Sequence, residues 1–193
     1  MLLIEEKEIP IKIELVPMRA YGDKPREFLQ KVPNGLLPAI EVNGQIITES
    51  QVIMELLDEW HPVSEGYKPM LPSRDDAAGM AKYDTLARLE RELFSWWCTL
   101  TFRPDSGRSS GSLISNPFKK NAAQQEMSSA MTGFLDCIRK VDRALLSTEG
   151  PWFFDTYDYP SMIDFVYVSH VERMLASVAY WKGLNLRDRK SVV

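Results

Sequence analysis

Asn43-Gly44 stands between two short apolar runs, Ala39–Val42 ("AIEV") and Gln45–Thr48 ("QIIT"). Asn-Gly populates the positive φ values of a two-residue type I′ turn, whose twist matches that of paired strands. Ten residues therefore predict a β-hairpin. Its outer ends are as distinctive as its turn, with Pro38 just ahead of the first run and Glu49-Ser50 just behind the second. After Ser50 the apolar residues Val52, Ile53, Leu56, Leu57 and Trp60 recur at helical spacing, and Ser50 is a suitable N-cap. A hairpin followed directly by a helix is the expectation.

The rest of the chain bounds what can surround that hairpin. Its 193 residues are 45% hydrophobic and 26% charged, enough for one or two domains with real cores. The net charge of -4, with no local run of basic residues, disfavours nucleic acid as a partner. The start, "MLLIEEKEIPIK", has too short an apolar run for a signal peptide core, and nothing later approaches the length of a membrane span, so no membrane partner is expected. The chain reads as cytoplasmic, or as organelle-stromal with a transit peptide missing. Cys98 and Cys137 lie far apart in helix-like segments and read as reduced core thiols. His61 precedes a proline and His170 lies in an apolar helix, so no metal site is predicted.

Residues 11–16 ("IKIELV") alternate apolar and polar and predict a half-buried strand. One or two helical turns are expected within "KPREFLQKV". Residues 61–73 ("HPVSEGYKPMLPS") carry three prolines and a glycine between periodic segments, which predicts a linker. The domains are then 1–62, a linker over 63–73, and 74–193. In the second domain Tyr83, Leu86, Ala87, Leu93, Phe94, Trp97 and Leu100 form one helical stripe. Met127, Met131, Phe134, Ile138, Val141 and Leu145 form another. The Ser- and Gly-rich stretch "RPDSGRSSGSLISNP" between them predicts a mobile loop. "SMID" predicts a capping box, Ser161 with Asp164, opening a third helix that is apolar on most sides.

This organisation resembles the cytosolic glutathione transferase family, and among its classes the omega-like cysteine type. The resemblance rests on "KPREFL", "NGLLPAIEVNG", "ITES", "PMLPSRDDAAGMA", "GPWFF", "SMID" and "YWKGLNLR" in that order. It implies an α+β two-domain protein, a thioredoxin-like α/β domain incomplete at its start followed by an all-α helical-bundle domain. It also implies a cis bond before Pro38 that exposes the backbone of Leu37 to the cysteinyl part of glutathione, as an added strand would be received. Glu49 and Ser50 would hold the γ-glutamyl end, Ser50 at a helix N-terminus where a carboxylate is favoured. Lys24 would pair with the glycyl carboxylate. Trp96, Trp97, Phe102 and Arg103 are candidates to line the pocket for the second substrate between the domains.

The implied activity is transfer of glutathione to small electrophiles, or its exchange with disulfides, with glutathione as co-substrate, no metal, and a homodimer as the implied assembly. Serine and tyrosine types conjugate, whereas cysteine types deglutathionylate or reduce dehydroascorbate-type substrates. The chain departs from the family pattern at its start, where "MLLIEEKEIPIKIELV" matches only the last turns of the first helix and the second strand. The first strand and the segment with the catalytic residue have no match, so the catalytic residue is unknown and negligible activity is expected of these residues alone. Cys98 and Cys137 match no family nucleophile. The alternative is an inactive binding or scaffold module with the same fold, which need not keep the anchors.

Overall fold

A computed structural model describes residues 1–19, 22–102, 117–156 and 158–186, with the backbone alone over 117–128. The chain divides into two compact units, Met1–Leu71 and Pro72–Val193. The predicted loop before Pro117, Arg103, the side chain of Met127 and the last residues of the chain lie outside the described residues.

The first unit opens with α1 (Leu2–Lys7). Glu8 ends it in the left-handed conformation, φ 55°, and the Ile9 amide closes back on the Ile4 carbonyl at 3.0 Å. This is the usual way a helix terminates when its last carbonyls need donors. Helix α2 (Arg26–Lys31) buries Phe28. The hairpin forms as predicted, β1 (Ala39–Val42) pairing antiparallel with β2 (Gln45–Thr48). Asn43 and Gly44 turn with φ 51° and 80°, the two positive values a type I′ turn requires. Helix α3 (Ser50–Trp60) follows at once and buries Ile53 and Leu57.

The expected strand over residues 11–16 is not one. No strand pairs with the segment among the described residues, and Ile11, Ile13, Leu15 and Val16 are all exposed. Alternation makes a chain fit for a sheet, yet a strand exists only where a neighbour supplies the ladder.

One buried ion pair ties this unit together. Lys7 reaches Asp58 on α3 at 2.6 Å and also donates to the Lys68 carbonyl at 2.7 Å. Asp58 accepts from the Met70 amide at 3.1 Å. Residues 68–70, expected to be linker, are thereby held to α1 and α3.

The second unit is helical, with α4 (Ala77–Phe102) packed against α5 (Pro117–Leu146) and α6 (Met162–Lys182). On α4 the buried positions are Tyr83, Leu86, Glu90, Leu93, Trp97 and Leu100. The predicted stripe is present, but Ala87 and Phe94 are only half-buried, and Glu90 fills the gap between Leu86 and Leu93. On α5 Ala130, Phe134, Cys137 and Val141 are buried, whereas Met131, Ile138 and Leu145 are half-buried. The stripe is rotated toward two small residues, which let helices approach closely. Gly133 shows the same demand, since a Cβ there would lie 2.7 Å from the Trp96 ring.

Helix α6 corrects the expectation of burial on most sides. Its first turns are buried, but Val168, Tyr180 and Trp181 are exposed, so beyond Tyr167 one face alone is covered. Its start is as predicted: Ser161 caps it and Asp164 completes the box, accepting from the Ser161 amide at 2.8 Å. No helix among the described residues is long and apolar enough to cross a membrane.

Candidate functional site at the open end of the hairpin

The register of the hairpin decides which residues meet. Ala39 pairs with Thr48, so Pro38 and Leu37 leave β1 on the same side of the ladder as Glu49 and Ser50 leave β2. The Leu37-Pro38 peptide bond is cis, and Leu37 is 64% exposed. Its backbone amide and carbonyl make no hydrogen bond among the described residues. A strand-like ligand would find one donor and one acceptor there, beside the first residue of the ladder.

Glu49 departs from what the sequence suggested. It has φ 73° and ψ 108°, a region that residues with side chains rarely enter and that costs roughly 1–3 kcal/mol. Ser50, expected as the N-cap, is instead the first helical residue, with Glu49 in the cap position and no side-chain capping bond. Ser50 is already helical, so its hydroxyl is no longer in the position from which an N-cap side chain meets the first-turn amides. Both side chains are exposed. The start of α3 therefore presents a hydroxyl, a carboxylate and open helix amides together. Such a helix start attracts a carboxylate through its amides and its dipole.

Lys24 is brought to the same neighbourhood. A Cβ on Gly35, which has φ 64°, would lie 3.6 Å from Lys24 Cγ, so the lysine stem runs beside the loop leading to Leu37. Its ammonium donates to the Arg19 carbonyl. Among the described residues no three His, Cys, Asp or Glu side chains gather as a metal centre would need.

Three of the candidates for the second-substrate pocket lie on α4, and their surroundings differ. Trp97 is buried and donates its indole N–H to Ser177 Oγ on α6 at 2.9 Å, which makes it part of the helical core. Trp96 is half-buried against Gly133, and Phe102 is 63% exposed with its ring edge-on to Trp97 at 5.4 Å. Arg103 lies outside the described residues.

One polar cluster escaped the sequence reading. Glu90, 2% exposed, lies 2.5 Å from His170 Nδ1 and accepts from Arg91 Nε at 2.6 Å. Burial by itself pushes its carboxyl up, but the hydrogen bonds from His170 and Arg91 outweigh it and hold the group below its ordinary value. Nearby, Tyr167 donates to the Leu86 carbonyl at 2.9 Å, and burial, with the Glu90 charge, pushes its phenol up. The signal was present in the spacing: positions 83, 86, 90, 93, 97 and 100 recur three and four apart, and only the charge at 90 hid the sixth member. Cys137 is fully buried, and burial pushes its thiol up to about 11. Burial also raises Cys98. Neither thiol has the depressed pKa of a nucleophile.

Comparison with known proteins bears on the same region. Residues 1–60 match the family model described as glutathione S-transferase, N-terminal domain. Over 62 residues the chain is 37% identical to glutathione S-transferase DHAR2 of Arabidopsis thaliana, covering 32% of this chain and 28% of that protein. It is 36% identical over 62 residues to the probable glutathione S-transferase DHAR2, chloroplastic, of Oryza sativa subsp. japonica, covering 32% of this chain and 22% of that one. The matched stretch is thus under a third of each relative's length. Among solved structures, glutathione transferase Omega 3C from Trametes versicolor superposes with a TM-score of 0.66 at 20% identity, covering 96% of this chain and 71% of that chain. That likeness concerns the fold: a thioredoxin-like unit followed by a helical one. The sequence likeness to glutathione S-transferases is thus concentrated in the unit that carries the hairpin, and the fold likeness extends along nearly the whole length.

Proposed function

We propose that the open end of the hairpin binds glutathione, and that the protein of which this chain is the whole or a part transfers glutathione to small electrophiles or exchanges it with disulfides. The observation that carries the reading is the pairing of two unsatisfied anchors by one register. The Leu37 backbone would receive the cysteinyl part as an added strand, while Ser50 Oγ and the first amides of α3 would take the γ-glutamyl carboxylate. Glu49, held at positive φ, would meet the γ-glutamyl ammonium. Lys24, whose stem already lies beside Gly35, would turn its ammonium to the glycyl carboxylate. On the second-substrate side Trp96 and Phe102 remain the candidates, since Trp97 is tied to Ser177.

The chemistry of such a site is activation of the bound thiol. A ligand held at three points leaves only its sulfur to be positioned, and a group that favours the thiolate sets the rate. Cys98 and Cys137 do not supply that group, because both lie in the helical unit with raised thiols.

Calorimetric titration with glutathione tests the assignment. Ser50→Ala should weaken binding by about 1.5–3 kcal/mol through loss of a hydrogen bond to a charged group. Unchanged affinity would remove Ser50 from the site, and no binding by the parent protein would remove the site itself.

A further inference from the structure

Helices α4 and α5 leave a groove of about 530 Å³ between them, floored by Leu86, Leu89 and Ala144. Arg88 from α4 and Lys140 and Arg143 from α5 line it, against one carboxylate, Glu92. The positions are three or four apart on each helix, so each set shares one face. Lys140 pairs with Glu92 at 2.7 Å, which neutralises both. The two guanidiniums are placed differently. Arg88 donates to Thr85 Oγ1 at 3.2 Å and Arg143 to the Arg139 carbonyl at 3.3 Å, and neither has an ion-pair partner among the described residues.

In a chain with 27 acidic against 23 basic residues, two guanidiniums lining one groove beside the neutralised Lys140–Glu92 pair leave a local excess of two positive charges. Guanidinium groups suit planar or tetrahedral oxyanions, which they grip with two parallel N–H donors. A dianion matches the excess charge, and the apolar floor matches an uncharged body attached to it. We propose that this groove binds a small phosphate monoester, its phosphate held between Arg88 and Arg143 and its apolar part resting on Leu86, Leu89 and Ala144. The groove lies wholly within the helical unit and shares no residue with the hairpin anchors, so the site stands or falls independently of glutathione binding.

Calorimetric titrations of the full chain at low salt, with phenyl phosphate, inorganic phosphate and phenol as separate probes, test it. Phenyl phosphate should bind saturably, and both part-ligands at least about tenfold more weakly, since each lacks one of the two contacts. Arg88→Gln with Arg143→Gln should reduce phenyl phosphate affinity by at least about tenfold, with an unshifted melting temperature showing that the fold is intact. Arg88→Lys with Arg143→Lys keeps the charge and loses the fork, and should fall between the two. Ser50→Ala should leave phenyl phosphate binding unchanged. The proposal is overturned by any of three results: no saturable binding, unchanged affinity in the double Gln variant, or inorganic phosphate binding as tightly as phenyl phosphate.

Discussion

Helices α3 and α6 both open beside an acid and a serine, and use them in opposite ways. At α6 the Asp164 carboxylate is buried and accepts from the Ser161 amide at 2.8 Å, from the Ser161 hydroxyl at 2.6 Å and from the Phe153 amide at 3.0 Å. At α3 Glu49 and Ser50 are exposed, and no side chain caps the first turn. The serine stands before the helix in one case and inside it in the other, and Glu49 has positive φ. A helix start whose donors are met by its own side chains is a structural joint; one whose donors face solvent is a place for a ligand. The comparison predicts that substitutions at the first cost stability and at the second cost affinity.

The largest effect lies in the hairpin unit and limits the comparison, because that unit also has a satisfied interior. Asp58→Ala leaves the Lys7 ammonium buried without its carboxylate and removes the acceptor of the Met70 amide. Unfolding in urea should show a loss of roughly 3–5 kcal/mol in this unit. A loss under about 1 kcal/mol would mean that Lys7 reaches water when Asp58 is gone.

Next comes Asp164→Ala, which strands two buried amides and should cost about 1–3 kcal/mol while leaving glutathione affinity unchanged. A variant of normal stability with poor binding would reverse the roles of the two helix starts.

The third test is pH. Glu90 has a folded-state pKa below its unfolded one, so its contribution to stability is present in full above the unfolded carboxylate value of about 4.3 and is lost as pH falls through the folded value. Melting curves of the helical unit should decline on that acid limb, and Glu90→Gln should flatten it. An unaltered limb in the variant would assign the acid sensitivity elsewhere.

The smallest expected effect sharpens the comparison most. Ser50→Ala should change global stability by less than about 0.5 kcal/mol, because its side chain is exposed and caps nothing. A larger loss, read by thermal melting without ligand, would make Ser50 a structural cap after all.

Much of this was legible in the chain because it is local. Asn43-Gly44 dictates its own turn, the helices announce themselves by apolar spacing, and Ser161 with Asp164 closes within one turn. The candidate anchors were legible only as a pattern, since Pro38 and Ser50 are each ordinary alone. Two features were misread for one reason. Among the described residues, 11–16 have the composition of a strand but no ladder, and α6 has the composition of a buried helix but exposed residues over much of its length; composition states what an element tolerates, and neighbours state what it receives.

The sequence by itself determined the hairpin, its turn, the helical stripes and the caps, because those depend on φ preferences and contacts within a few residues. Tertiary structure alone decided that Lys7 meets Asp58, 51 residues away, and that Glu90 meets His170, 80 residues away. It also decided that Glu49 takes positive φ. Burying a charge is costly unless a partner arrives from elsewhere in the chain, and an unfavourable backbone angle persists only where the surrounding structure holds it. Neither condition can be met by a residue and its immediate neighbours.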